Sequence, residues 1–175
     1  MNSLSAKDFL KQLENEFGDK VESKLKEEGG ASGKKVSKIW LEIDRENLSE
    51  LISFFFEFQT PHFTSMFGRD LVEEDKIEIS YHFSLFYDER LSELSLIVST
   101  PIPKDDLWLP TITDKISGAL TTEREMKEMF GIEIKDIPDD RHVYLPYDHP
   151  EDEYPWRKDE YGVGLEDVYE KEGQK

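Results

Sequence analysis

Apolar and polar residues alternate over residues 77–87. The apolar positions are Ile77, Ile79, Tyr81, Phe83, Leu85 and Tyr87, and between them stand Glu78, Ser80, His82, Ser84 and Phe86. Successive side chains of a strand point to opposite faces of a sheet, so a period of two predicts a half-buried strand. Such a strand needs neighbours, and the chain must therefore contain a sheet that is covered on one face.

More strands are predicted on both sides of this alternation. In chain order the predicted strands are residues 21–26, 36–43, 63–71, 77–87 and 94–99. Acidic turns at residues 73–75 and 88–90 separate the last three, an order that predicts an antiparallel meander. The three glycines within residues 27–35 predict a further turn.

Two amphipathic helices are predicted to cover the sheet. The first is Ser5–Phe17, with its first residue as N-cap and Gly18 as stop. The second runs over residues 46–58 after Asp44 and has apolar residues at helical spacing. The phenylalanine run at residues 54–56 is compatible with a cofactor-binding motif, although such spacing indicates core packing more often.

These elements predict an α+β fold. Residues 1–100 are expected to form a two-layer core with helices packed on a mainly antiparallel, mixed sheet. Seven of the eight prolines lie after residue 100 and interrupt long elements there. We therefore expect residues 101–175 to form an irregular, proline-rich C-terminal arm with a short helix at residues 122–130. An arm without its own core becomes ordered against another surface.

Charge and cysteine content exclude several classes of function. The net charge of −18 repels phosphate backbones and anionic lipids, so no nucleic-acid binding is expected. The chain has no cysteine, which excludes disulfides, zinc-thiolate sites and cysteine-ligated iron–sulfur clusters. It contains no apolar run of about 20 residues and no secretion signal. We expect a cytoplasmic protein whose contact with the membrane is indirect.

The sequence gives little support for chemistry within the chain. The four histidines lack the spacing of a zinc-binding helix. Residues 148–153 are rich in acids and histidine but lack the pattern of a calcium loop, and residues 29–34 lack that of a phosphate-binding loop. We expect no catalytic, cofactor-binding or metal-binding residue. Because the chain has forty acidic residues, a hydrolase that uses paired carboxylates is an alternative.

The short helix carries charges that helix stability does not explain. Thr122 and Glu125 have the spacing of a capping box, and Gly131 is expected to end the helix. Arg124 is expected instead to join bidentate ion pairs that tie irregular backbone together. The residues expected in these pairs are Arg124, Arg141, Arg157, Asp139 and Asp159. The alternative is a solvated, charged surface helix.

The order of short blocks in residues 123–159 resembles the signature of a known family. The blocks are Glu123-Arg124-Glu125, Glu128-Met129-Phe130-Gly131-Ile132, Pro138-Asp139, Arg141, Leu145-Pro146, Pro155 and Arg157-Lys158-Asp159. They are similar to the thirty-kilodalton subunit family of respiratory complex I (NADH:quinone oxidoreductase), including its relatives in membrane-bound nickel–iron hydrogenases and sulfur reductases. The chain departs from the family pattern at Ile137, His142 and Tyr154.

The resemblance implies a non-catalytic assembly subunit of an ion-translocating, complex I-related oxidoreductase. It implies docking on the large catalytic, hydrogenase-like subunit, beside small iron–sulfur subunits, at the cytoplasmic face of the membrane. Iron–sulfur clusters and a nickel–iron centre would then belong to these partners. The departures and the short tail favour an archaeal hydrogenase or sulfur-reductase branch. The expected docking and structural residues are Glu123, Arg124, Glu125, Asp139, Arg141, Pro155, Arg157, Lys158 and Asp159, with Trp108 and Trp156 as anchors.

Two other functions remain open at this point. One is the equivalent subunit of a NADH- or ferredoxin-linked quinone oxidoreductase, which would share the fold and the docking mode. The other is a free-standing acidic module that binds a basic protein. The partners that co-purify with the chain would distinguish these alternatives.

Overall fold

The computed structural model describes residues 5–29, 35–87 and 93–163. Within these ranges the helices are α1 Ala6–Phe17, α2 Arg45–Phe56 and α3 Leu120–Phe130. The strands are β1 Val21–Gly29, β2 Lys35–Ile43, β3 His62–Leu71, β4 Lys76–Leu85, β5 Leu94–Pro103, β6 Trp108–Pro110 and β7 Glu133–Lys135. The turn predicted at residues 88–90 and most of the glycine-rich turn lie outside the described residues.

Five strands form one sheet in the order β1-β2-β5-β4-β3. Strands β3, β4 and β5 make the predicted antiparallel meander, with Met66 and Val98 opposite Tyr81 on its two sides. Strands β2 and β5 pair in parallel, so the sheet is mixed and the predicted α+β fold is confirmed. Strand β5 runs from Leu94 to Pro103, across the predicted boundary after residue 100. The division of the chain at that boundary stays a prediction.

Strand β4 buries the face that its alternation predicts. The five apolar side chains at alternate positions of residues 77–85 are at most 1% exposed. Helix α2 covers this face, where Phe55 meets Phe83 edge-on with ring centroids 5.7 Å apart. The ring centroid of Phe9 in α1 lies 6.2 Å from that of Phe55. Core packing therefore explains the buried part of the phenylalanine run, of which Phe56 is exposed.

The ends of the first two helices follow local sequence signals. The hydroxyl of Ser5 accepts a hydrogen bond from the Asp8 amide at 3.2 Å, which caps α1 as predicted. Gly18 then adopts a φ of 52° and ends this helix. Helix α2 follows Asp44, whose side chain forms no capping hydrogen bond, and it ends two residues before the predicted position.

Residues beyond 100 contribute to the same core. Helix α3 packs on β3, where Gly68 leaves room for the Phe130 ring and a side chain would overlap that ring. Met126 and Ile134 are buried in the cluster that contains the sheet residues. Residues 136–163, here called the C-terminal segment, form turns and irregular backbone over α3 and the end of β3. None of the helices in the described part of the chain has the length and apolar composition needed to cross a bilayer.

Candidate docking site

Helix α3 starts earlier than predicted and stops where predicted. Its first residue is Leu120, after a 3-10 turn, and Gly131 ends it with a φ of 75°. The predicted capping box of Thr122 and Glu125 is therefore wrong. The Thr122 hydroxyl lies inside the first turn and donates to the Ala119 carbonyl at 2.9 Å, so it cannot act as an N-cap.

Glu123 is enclosed within the chain. Its carboxylate is 0% exposed and accepts hydrogen bonds from the hydroxyls of Thr111 and Thr113 at 2.6 and 2.8 Å and from the Ile112 amide at 2.6 Å. Burial raises the pKa of Glu123, and the three donors offset part of the rise. The side chain fixes the loop after β6 against α3.

Arg124 holds the backbone of the C-terminal segment. Its Nε donates to the Arg141 carbonyl at 2.6 Å and its Nη2 to the His142 carbonyl at 2.9 Å. Its Nη1 lies 3.5 Å from the Asp139 carboxylate. The guanidinium thus ties irregular backbone to the helix through two successive carbonyls and one nearby acid, and not through the predicted bidentate ion pair. A merely solvated helix does not describe this side chain.

Glu128 binds the same segment through its amides. The carboxylate accepts hydrogen bonds from the amides of Val143, of Tyr144 at 2.9 Å and of Leu145 at 3.2 Å. Its side chain is buried. Glu128 and Arg124 lie four residues apart on one side of α3, so together they fix five consecutive residues of the segment. The sequence marked Glu128 as part of the family signature but assigned it no contact.

Asp139 and Arg141 form a local, exposed pair. Nε and Nη2 of Arg141 donate to the two Asp139 oxygens at 2.9 and 2.6 Å. These hydrogen bonds hold the pKa of Asp139 well below its usual value. Because the Arg141 side chain is 74% exposed, solvent screens the pair and its contribution to stability is small.

Four charged side chains form a cluster, here called the buried ion cluster. Its members are Asp70, Lys104, Arg157 and Asp159. The Lys104 ammonium lies 2.8 Å from Asp70 and 2.9 Å from Asp159, and Arg157 lies 2.6 Å from Asp159. The Lys158 amide donates to Asp70 at 2.7 Å. The cluster joins the last part of the C-terminal segment to the ends of β3 and β5.

Opposite charges in this cluster offset the cost of burial. The side chains of Lys104 and Asp70 are 7% and 0% exposed. Burial by itself would raise the pKa of Asp159, but hydrogen bonds from Arg157 and Lys104 outweigh it and hold that pKa well below its usual value. Burial would likewise lower the pKa of Lys104, and its two carboxylate partners raise it instead.

The lowered pKa of Asp159 predicts a pH-dependent contribution to stability. The pKa of Asp159 in the folded state lies below its unfolded value of about 4. Its contribution to the free energy of unfolding is therefore fully present above about pH 4 and is lost as the pH falls toward the folded pKa. The difference in free energy of unfolding between the wild type and Asp159→Asn should be constant from pH 7 to 5 and should shrink below pH 4. Urea unfolding at several pH values measures it. An equal difference at pH 3 and pH 7 would contradict this assignment.

The two tryptophans predicted as anchors, Trp108 and Trp156, differ in their surroundings. Trp108 lies between Arg45, whose Cζ is 4.3 Å from the ring centroid, and Lys135, whose Nζ is 3.5 Å from it. Trp156 is 41% exposed, contacts Phe130 edge-on and donates its amide to the Met129 carbonyl at 3.0 Å. Trp156 is therefore partly accessible to solvent, whereas Trp108 is half-buried between two cationic side chains.

Most of the predicted residues fall into two groups rather than one site, and Glu123 and Trp108 lie outside both. Arg124, Asp139 and Arg141 lie beside α3, while Arg157 and Asp159 lie in the buried ion cluster. Pro155 and Lys158 border the second group. Glu125 joins neither and has no ion pair or hydrogen bond among the described residues. No group of three or more acidic or histidine side chains in the described part of the chain is arranged to hold a metal ion.

Comparison with known proteins identifies the family. Residues 41–164 match the model of the respiratory-chain NADH dehydrogenase 30 Kd subunit. The membrane-bound hydrogenase subunit beta of Pyrococcus furiosus is 37% identical over 131 residues, which cover 75% of each chain. Formate hydrogenlyase subunit 5 of Escherichia coli is 27% identical over 115 residues, or 64% of this chain, but the match spans 19% of that relative.

A solved structure shares the fold. A chain of the membrane-bound sulfane sulfur reductase, an archaeal respiratory membrane complex, superposes with a TM-score of 0.69 at 21% identity, covering 94% of this chain and 89% of the other. The order of signature blocks in residues 123–159 predicted the same family, and that prediction is confirmed. The chain belongs to the family of the 30 kDa subunit of respiratory-chain NADH dehydrogenase.

Proposed function

We propose that this chain is a non-catalytic assembly subunit of a hydrogenase or sulfur-reductase complex and docks on its large catalytic subunit. Membership of the family makes it a subunit of a complex I-related oxidoreductase assembly. The hydrogenase branch is proposed because the relative at 37% identity is by name a membrane-bound hydrogenase subunit. In this proposal the iron–sulfur clusters and the nickel–iron centre are held by partner subunits, at the cytoplasmic face of the membrane.

The observation that supports docking is the way the C-terminal segment is held. Arg124 and Glu128 bind its backbone from one side, and the buried ion cluster holds its end. The segment nevertheless exposes large aromatic side chains; they are Tyr144, Tyr147, Trp156 and Tyr161. A fixed backbone that displays aromatics loses little conformational entropy on binding, and aromatic side chains dominate the energetics of interfaces.

Affinity isolation of the tagged chain from its native membranes tests the proposal. Arg124→Ala removes hydrogen bonds to two backbone carbonyls, while the sheet does not depend on it. Each charge-assisted bond contributes about 1.5–3 kcal/mol, so we expect recovery of the metal-bearing partners to fall about tenfold or more. Circular dichroism should show an unchanged fold.

Lys20→Ala is the matched control. Lys20 lies 3.7 Å from Glu50 in an exposed pair and directly precedes β1, at the sheet edge opposite β3 and α3, so this variant should recover the partners as the wild type does. Equal recovery with Arg124→Ala and the wild type would contradict the docking role. Isolation of the wild type as a monomer, without redox subunits, would instead favour the acidic binding module.

The identity of the recovered partners separates the branches of the family. A large subunit with cysteine ligands for a nickel–iron centre would support the hydrogenase type. A large subunit without those ligands, recovered together with quinone-dependent activity, would favour the quinone oxidoreductase alternative. In either case the chain itself should show no turnover when purified alone, which distinguishes it from a carboxylate hydrolase.

A further inference from the structure

An acidic groove lies between the C-terminal end of α3 and the C-terminal segment. Its volume is about 380 Å³, and the half-buried side chains of Leu145 and Tyr154 line part of it. The carboxylates of Glu133, Glu151 and Glu153 also line it. The groove lies beside the segment through which docking is proposed, so a partner on that segment would reach it.

The charges in the groove are not balanced within the chain. Glu133, Glu151 and Glu153 are exposed, and none of their carboxylates forms an ion pair or a hydrogen bond with a described residue. The one lysine among the lining residues, Lys127, is already paired with Asp140 at 3.2 Å. The groove therefore holds three carboxylates that lack an opposite charge.

Two further features of the groove favour a cation. Helix α3 points its C-terminal end, the negative end of the helix dipole, at the groove through Gly131. Tyr147, which is 87% exposed, stands at the groove and offers a ring face to a cation. A metal ion fits less well, because no group of three potential ligands converges among the described residues.

We propose that this groove receives a basic segment of the partner protein, with an arginine or lysine side chain between the carboxylates and apolar neighbours against Leu145 and Tyr154. The charge of the groove complements such a segment, and its mixed lining suits the apolar stem and charged head of either side chain. This inference rests on the proposed function, since the partner is the subunit on which the chain docks.

Paired charge removal tests the groove in the assembled complex. Glu151→Gln combined with Glu153→Gln removes two negative charges from the groove. The control variant, Glu14→Gln combined with Glu16→Gln, removes two negative charges from the exposed face of α1. Tagged complexes bound to resin are washed with increasing NaCl. Because single exposed charges contribute little, we expect the groove variant to bind about three- to tenfold more weakly and to release partners at lower salt, while the α1 variant matches the wild type.

A photoreactive probe identifies the occupant. With p-benzoylphenylalanine in place of Tyr147, irradiation of the intact complex should join this position to a partner peptide that contains arginine or lysine. Attachment to an acidic or neutral peptide, attachment to lipid, or a groove variant that behaves as the α1 variant would overturn the inference while leaving the proposed function intact. If no redox subunit is recovered with the wild type, the proposed function fails and the groove inference fails with it.

Discussion

Replacing Lys104 with methionine should lower the free energy of unfolding by about 3–5 kcal/mol. Methionine keeps much of the volume of the side chain but removes its charge. Asp70, which is 0% exposed, would then be a buried carboxylate without a cation, and Asp159 would lose one of its two cationic partners. Equilibrium unfolding in urea measures the effect.

Lys76→Met is the matched control for this prediction. Lys76 lies 4.0 Å from Glu74, and both side chains are exposed, so its replacement should change stability by about 1 kcal/mol or less. If Lys104→Met were as mild as Lys76→Met, the buried ion cluster would not be what holds the C-terminal segment to β3 and β5.

Glu123→Ala should also destabilise the protein strongly. The substitution leaves the buried Ile112 amide and two threonine hydroxyls without their acceptor. Each buried donor left without a partner costs about 1–3 kcal/mol. Because the threonine hydroxyls can turn to other acceptors, most of the expected loss of stability comes from the Ile112 amide. Urea unfolding again provides the measurement.

Two variants separate this effect from a general sensitivity of α3. Glu123→Gln keeps one acceptor oxygen and should lose less stability than Glu123→Ala. Glu125→Ala removes a half-buried carboxylate that accepts no hydrogen bond from a described residue, so it should have little effect. Equal losses for Glu123→Ala and Glu125→Ala would contradict the role of the three hydrogen bonds.

The parts of the fold that depend on local signals were predictable. The period of two in residues 77–87 predicted the buried face of β4, although that strand ends at Leu85 and Tyr87 is exposed. Ser5 and Gly18 predicted the ends of α1. The start of α3 was mispredicted, because Thr122 has the sequence pattern of a cap but a 3-10 turn precedes it and starts the helix at Leu120. Whether a threonine caps a helix depends on the backbone before it.

The candidate site was predictable only where its partners lie close in sequence. Arg157 and Asp159 are two residues apart, and the sequence suggested their pairing. Asp70 was missed because it lies 88 residues from Lys158, whose amide donates a hydrogen bond to it. Lys104 was missed because it too is far in sequence from its partners. Contacts of this kind exist only once β3, β5 and the C-terminal segment have come together.

Two side chains of α3 and the buried ion cluster explain how the irregular C-terminal segment keeps a defined arrangement. Arg124 and Glu128 satisfy successive carbonyls and amides that would otherwise need a strand or helix as partner. The buried ion cluster is shielded from solvent, so it is screened by salt less than an exposed pair would be. The backbone of the surface proposed for docking is therefore held by contacts within the chain.

Electron microscopy of the complex isolated through a tag on this chain would show which surface of the chain faces the large subunit. We expect Tyr144, Tyr147 and Trp156 to contact the large subunit that carries the metal centre. We also expect Arg124 still to bind the Arg141 and His142 carbonyls in the assembled state. A complex in which residues 138–159 face solvent, with the metal-bearing subunit on another surface of this chain, would contradict the proposed docking role.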